Sequence, residues 1–237
     1  MYKLTYDELE RVKKGIRKFN SNPVNLAADY SIAKQFGHIL NGEICHLPGA
    51  IVLLDGFFQT GLRFQGYDSI HEIYDNLQQQ WVNVQASLGN LQQLPMAIQE
   101  QDERIRLLGL IPELVRGRRR VWPYSFATKF FHWCAREHFP IMDSKSRVAI
   151  HNFQITKNVR RRDLLINKGK PKGQGECIEE YKKWINFYNR FFIDNAEDTL
   201  EQIEQCDEEA QNGSPFHIQN TLLRVLDKYF YIKGSNG

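Results

Sequence analysis

SFATKFFHWCAREHFPIMDSKSRVAI, residues 125–150, carries the most informative pattern in the chain. Residues 125–138 have helical spacing. Ala127, Phe130, Phe131 and Cys134 fall on one side, and Lys129, His132 and Arg136 on the other. The chain then runs through His138-Phe139-Pro140-Ile141-Met142-Asp143, where Pro140 cannot continue a helix. Asp143 precedes a second helix, Ser144 to Phe153, at the place where a carboxylate caps the free N–H groups of a helix start. The expectation is helix, tight corner, helix, with a carboxylate at the corner and the polar side of the first helix in solvent.

Helical spacing continues on both sides. Thr5-x-x-Glu8 reads as a capping box opening a helix over 6–19, and Asn22 with Pro23 opens a second to about 41. Pro48-Gly49 precedes a third, AIVLLDGFFQTGLRF. Asp68-Ser69 caps a fourth, through about 88, with Ile70, Ile73, Leu77, Trp81 and Val84 as its apolar face. A weaker helix covers about 96–109, and three more cover about 177–193, 197–210 and 215–231. Alternating β patterns are nearly absent, and no internal repeat is visible. The fold class is therefore all-α. The organisation expected is one unit over 1–237, with helices of 1–110 and 177–232 forming two lobes around a cleft. The segment 116–172 lies inside that unit, and the Gly/Pro/Lys loop 167–176 marks the lobe boundary.

The chain has 237 residues, 29 of them aromatic, and a net charge of +3. That aromatic content is incompatible with a solvated disordered chain. No apolar run reaches the roughly 18 residues a membrane-crossing helix needs. The charged, amphipathic start MYKLTYDELERVKK is unlike a secretion signal, so the expected location is the cytoplasm, with no membrane partner. Cys45, Cys134, Cys177 and Cys206 lie far apart, without the C-x2-C spacing of zinc or iron–sulfur sites. They are expected to be reduced thiols in or near a core, with no metal and no cofactor. Charge is uneven: residues 116–172 hold 15 basic and 3 acidic side chains, whereas 1–115 hold 10 and 13, and 173–237 hold 6 and 12. Two runs stand out, Arg116-Gly117-Arg118-Arg119-Arg120 and Arg160-Arg161-Arg162. Such density fits a footprint for phosphates, although a solvated surface balanced by acidic neighbours has the same composition.

The element at 125–150 resembles the core of the helix-hairpin-helix DNA glycosylases, the HhH-GPD superfamily, and is closest to their adenine-excising, MutY-like branch. In that branch a helix of this length leads to H-F-P-I-L-D, and His138 to Asp143 stand in its place without a gap. The resemblance makes Asp143 the catalytic aspartate. It places Ser125, eighteen positions earlier, where bifunctional relatives carry a nucleophilic Lys and the adenine branch a Ser. Phe57-Phe58-Gln59-Thr60-Gly61 more loosely resembles the L-Q-Q-T element that enters DNA beside the extruded base, which makes Phe57, Phe58 and Gln59 wedge or pocket residues. The chain departs from the family at the hairpin. Where relatives read L-P-G-V-G, it reads Arg119-Arg120-Val121-Trp122-Pro123-Tyr124, so the backbone contact to a phosphate is either lost or remade, with the guanidinium groups of Arg118–Arg120 as the candidate replacement.

The chemistry stands beside the resemblance. Breaking an N-glycosidic bond builds positive charge on the sugar, and a carboxylate beside the anomeric carbon stabilises it and orients water. At a helix start Asp143 stays ionised. Ser125 has no amine, so the expected reaction is base release by water, without a covalent imine. Trp122 and Tyr124, in an arginine-rich turn, are candidates to stack on an extruded base. Arg116, Arg118, Arg119, Arg120, Lys129, Lys145, Arg147, Arg160, Arg161 and Arg162 are the candidate phosphate contacts, and His132 is read as a surface or phosphate-contacting residue. The expectation is a monomeric, monofunctional glycosylase acting on damaged or modified bases in DNA, in repair or against hypermodified phage DNA. The alternatives are a nucleic-acid binder of the same fold without chemistry, and a hydrolase of RNA-borne or free nucleosides.

Overall fold

The computed structural model describes residues 2–58, 60, 62, 67–91, 102–116, 119–167, 169, 171 and 173–235; of 67–69, 115, 116, 119, 120 and 161 it describes the backbone only. Among the described residues the chain forms helices joined by short turns, with one small hairpin. The first five helices are α1 (Tyr6–Asn20), α2 (Pro23–Leu40), α3 (Leu47–Phe58), α4 (Tyr67–Gly89) and α5 (Glu103–Gly109). The hairpin strands are β1 (Leu114–Arg116) and β2 (Arg119–Val121). Then come α6 (Tyr124–Cys134), α7 (Ser144–Thr156), α8 (Gly173–Asp194), α9 (Glu197–Glu209) and α10 (Leu222–Ser235).

The start signals of α1 and α2 act as read, but α3 begins at Leu47, ahead of Pro48-Gly49, and α4 begins at Tyr67, so Asp68 and Ser69 lie inside its first turn rather than capping it. The Thr5 hydroxyl accepts from Glu8 N–H at 3.3 Å, and the Glu8 carboxylate accepts from Thr5 N–H at 2.7 Å, closing the capping box. Asn22 caps α2, accepting from Val24 N–H at 2.9 Å, with Pro23 in the first turn. α10 starts seven residues later than its spacing suggests. Pro215 disfavours a helical Ser214, and the Ser214 hydroxyl accepts from Phe216 N–H at 3.1 Å, holding a turn there.

Two further elements differ from expectation. The segment before α6 is a β-hairpin, antiparallel, with Leu114 facing Val121 and Arg116 facing Arg119. Pro112 and Pro123 bracket it and stop helix on both sides. Leu114 and Trp122 are buried and anchor it to the core. Secondly, α6 ends at Cys134 rather than near His138, because Ala135 takes an extended conformation (φ −150°, ψ 79°).

One hydrophobic core runs through residues of every helix from α1 to α10. α10 packs along α7 and α1, and α1 also packs on α9. At Gly234 the last turn of α10 meets the backbone of Lys145 so closely that a Cβ would collide with it. The end of α10 is thereby pressed onto the first turn of α7. α6 lies among α2, α3 and α5, and every residue from Phe126 to Cys134 is buried. Cys134, Cys177 and Cys206 are buried free thiols, but Cys45 is exposed, contrary to expectation. Among the described residues no helix is long and apolar enough to cross a membrane.

Candidate active site

The corner between α6 and α7 is pinned from α6. Thr128 accepts from Met142 N–H at 3.1 Å. One turn later, His132 Nδ1 donates to the Phe139 carbonyl at 2.8 Å. With both ends of the corner held, Asp143 has one position. Its Oδ1 accepts from Lys145 N–H at 3.0 Å and Ser146 N–H at 2.8 Å, as a helix cap does. Its Oδ2 lies 3.2 Å from Lys129 Nζ. Burial alone would raise the Asp143 pKa, but the Lys129 ammonium and the hydrogen bonds from Ser146 outweigh it, and the carboxyl titrates below its ordinary range.

Lys129 is itself 3 % exposed. It donates to the Ser125 hydroxyl, one turn back on α6, at 3.1 Å, and its ammonium lies 5.4 Å from the centre of the Phe58 ring. The helix that looked half solvated is covered on both sides, so its polar positions meet other buried charges. Lys129 is therefore not a phosphate contact. His132 is not a surface residue: it is fully buried, and burial lowers its pKa to about 3.

Behind Asp143 stands a layer the sequence did not announce. Arg224 of α10 grips Asp29 of α2 through two guanidinium nitrogens, at 2.6 and 3.1 Å. It also pairs with Asp227, one turn along. Asp227 accepts from the Ser146 hydroxyl at 3.1 Å. Burial raises the Asp227 pKa to about 6, with Asp143 adding and Arg224 opposing. Asp29, Asp143, Asp227, Lys129 and Arg224 line one narrow cavity of about 60 Å³, walled by Phe19, Phe57, Phe58 and Tyr231. With all five groups ionised, it holds three negative and two positive charges.

The expected site residues fall into three groups. Asp143, Ser125 and Lys129 come together, and Phe57 and Phe58 share the cavity with them. Trp122 does not: it is 2 % exposed and donates its indole N–H to the Ile111 carbonyl at 2.8 Å, so it is core and cannot stack on a base. Arg147 is not a phosphate contact either. It is 1 % exposed, paired with Glu180 and stacked 5.8 Å from the centre of the Trp184 ring. Lys145, half-buried, donates to the Tyr231 hydroxyl at 2.7 Å. Tyr124 is half-buried against the core, near Arg147 and Asp143, and burial raises its pKa. Gln59 and Arg118 lie outside the described residues, and so do the side chains of Arg116, Arg119, Arg120 and Arg161.

Arg160 and Arg162 are exposed, and with Lys157, Lys183 and Arg190 they line a groove of about 680 Å³. That groove is at the far end of α7 from Asp143, about 20 Å away for a 13-residue helix. Neither Arg224 nor Asp227 could have been picked from sequence. Their one local signal is the spacing of Arg224, Asp227, Lys228 and Tyr231 along one stripe of α10, which reads as a solvated face.

His132 makes stability depend on pH. Its folded pKa, about 3, lies below the ordinary 6.5, so the unfolded chain takes up the proton first. The contribution is intact above pH 6.5 and declines as pH falls toward 3. At pH 5 the loss is about 2 kcal/mol. The urea stabilities of wild type and His132→Gln should differ by a constant above pH 7, and the difference should shrink by that amount at pH 5. A pH-independent difference would show that the imidazole is not held neutral. No family model, no curated protein and no solved structure matches this chain.

Proposed function

We propose that the protein is a DNA N-glycosylase that draws a damaged or modified base out of the stack and cleaves its N-glycosidic bond at Asp143. The observation that carries this reading is the Asp143 carboxylate itself. It is held ionised by two backbone N–H groups and Lys129, and it lines an aromatic-walled cavity with more carboxylates than cations. Such a cavity favours the positive charge that develops on the sugar. The exposed cations Arg160, Arg162, Lys183 and Arg190 supply phosphate contacts away from the reacting centre.

At about 60 Å³ the cavity is far below the roughly 300 Å³ of a small-ligand pocket. A base therefore enters only when the Phe57–Phe58 wall moves aside. Phe57 is already 44 % exposed, so its displacement costs little buried surface. The test is incubation with DNAs carrying oxidised, alkylated, deaminated and hypermodified bases, scored as alkali-labile abasic sites. Release from at least one supports the reading. No release from any, combined with salt-sensitive binding, would leave a nucleic-acid binder.

One observation favours a second route from the same carboxylate. Ser125 carries no amine, yet Lys129 brings one to 3.1 Å from the Ser125 hydroxyl and 3.2 Å from Asp143. The Lys129 ammonium gives a proton to the departing base and its amine bonds to the anomeric carbon; the C1′–O4′ bond then opens, an amine proton passes to O4′, and a protonated imine links enzyme and sugar, with Asp143 ionised throughout. Borohydride separates the routes. A trapped covalent complex that disappears in Lys129→Met establishes imine formation, whereas free abasic DNA and no trapped species leaves water as the nucleophile.

A further inference from the structure

We propose that His38, Glu43 and His46 bind one divalent transition-metal ion, zinc by preference. The three residues share no cavity with Asp143 and lie where α2 passes into α3. The scaffold is local and defined. After α2 the chain turns at Gly42 (φ +94°), whose N–H bonds to Ile39 O at 3.0 Å, while Glu43 N–H bonds to His38 O at 3.0 Å. This is a Schellman turn, and it folds Glu43 back over His38. A single 3-10 turn, Ile44–His46, then places His46 beside Glu43, with His46 N–H bonded to Glu43 O at 3.0 Å.

The result is two imidazoles aimed at one carboxylate. His38 Nδ1 lies 3.0 Å from Glu43 Oε1, and His46 Nε2 lies 3.6 Å from Glu43 Oε2. The rings stack 4.3 Å apart and 11° from parallel. His46 Nδ1 lies 2.9 Å from Gln35 Oε1. An amide oxygen only accepts, so His46 Nδ1 carries a proton, and in the neutral ring Nε2 presents its lone pair to Glu43. That lone pair faces a carboxylate, which also only accepts. A metal cation between them is bound by both, and Gln35 is the outer partner that fixes the tautomer of a metal-bound histidine.

One donor atom from each residue lies within 4.8 Å of the others. Ligands bound tetrahedrally at about 2.0–2.2 Å sit roughly 3.3 Å apart. Small rotations of the three side chains, which are 32–51 % exposed, close the difference. On binding, the His38 proton moves from Nδ1 to Nε2. Two imidazoles and a carboxylate suit zinc, nickel or copper rather than magnesium or calcium, and the fourth position is left for water.

The test uses the full chain, stripped with a chelator and titrated with zinc against a chromophoric competitor. One ion per chain is expected, with a rise in melting temperature. His46→Ala and Glu43→Gln should each weaken binding roughly 10-fold or more and remove that rise. Glu43 is exposed and His46 half-buried, so metal-free Glu43→Gln should melt with the wild type and metal-free His46→Ala within a few degrees of it. Cys45→Ser, at the neighbouring exposed thiol, should leave binding unchanged. Failure to compete for zinc, binding that survives both variants, or binding lost in Cys45→Ser would each overturn the assignment.

Discussion

Asp143→Asn should slow base release by about 10²–10³-fold while DNA affinity stays within a few-fold of wild type. The side-chain oxygen that accepts from Lys145 and Ser146 is kept, so the α7 cap and the corner survive. The charge is lost, and with it the stabilisation that the proposed reaction requires for a cationic sugar. The variant also leaves the Lys129 ammonium without its ion partner in a buried place, which lowers stability, so rates must be compared well below both melting temperatures. Alkali-labile sites on the best substrate, and filter binding at several salt concentrations, give the two readouts. A turnover unchanged by the substitution would remove Asp143 from the chemistry, and equal losses of binding and turnover would make it a structural cap.

Arg224→Ala should be among the most destabilising single changes, about 3–5 kcal/mol, or a fall of roughly 10 °C in melting temperature for a chain of this size. Arg224 is 1 % exposed and neutralises Asp29 and Asp227 together. Truncation strands two buried carboxylates beside Asp143. Arg162→Ala is the contrast. That side chain is 75 % exposed, with Asp163 at 3.9 Å, and its loss should stay within about 0.5 kcal/mol while weakening DNA binding at low salt. Thermal melts of both variants test the pair. Equal small effects would mean that the Arg224 network is compensated by water.

Features within one turn of helix were legible from sequence. Thr5 with Glu8, Asn22 with Pro23, and Asp143 before Ser144 cap as expected, because each bond spans two or three residues and needs no other part of the chain. The hairpin at 114–121 was missed, since three-residue strands are too short to show alternation. Side-chain exposure was misread at Lys129, His132, Trp122 and Arg147. A polar side chain in a helix looks the same whether it faces water or a buried partner.

The succession of capped helices, the corner that carries Asp143 and the excess of basic residues over 116–172 follow from the residues alone. Tertiary structure alone decided which polar groups are inside. The Arg224–Asp29 pair joins residues 195 positions apart, and the cavity beside Asp143 takes walls from α1, α2, α3, α6 and α10. Burial depends on which elements cover a position, and that is settled only when the chain has closed on itself.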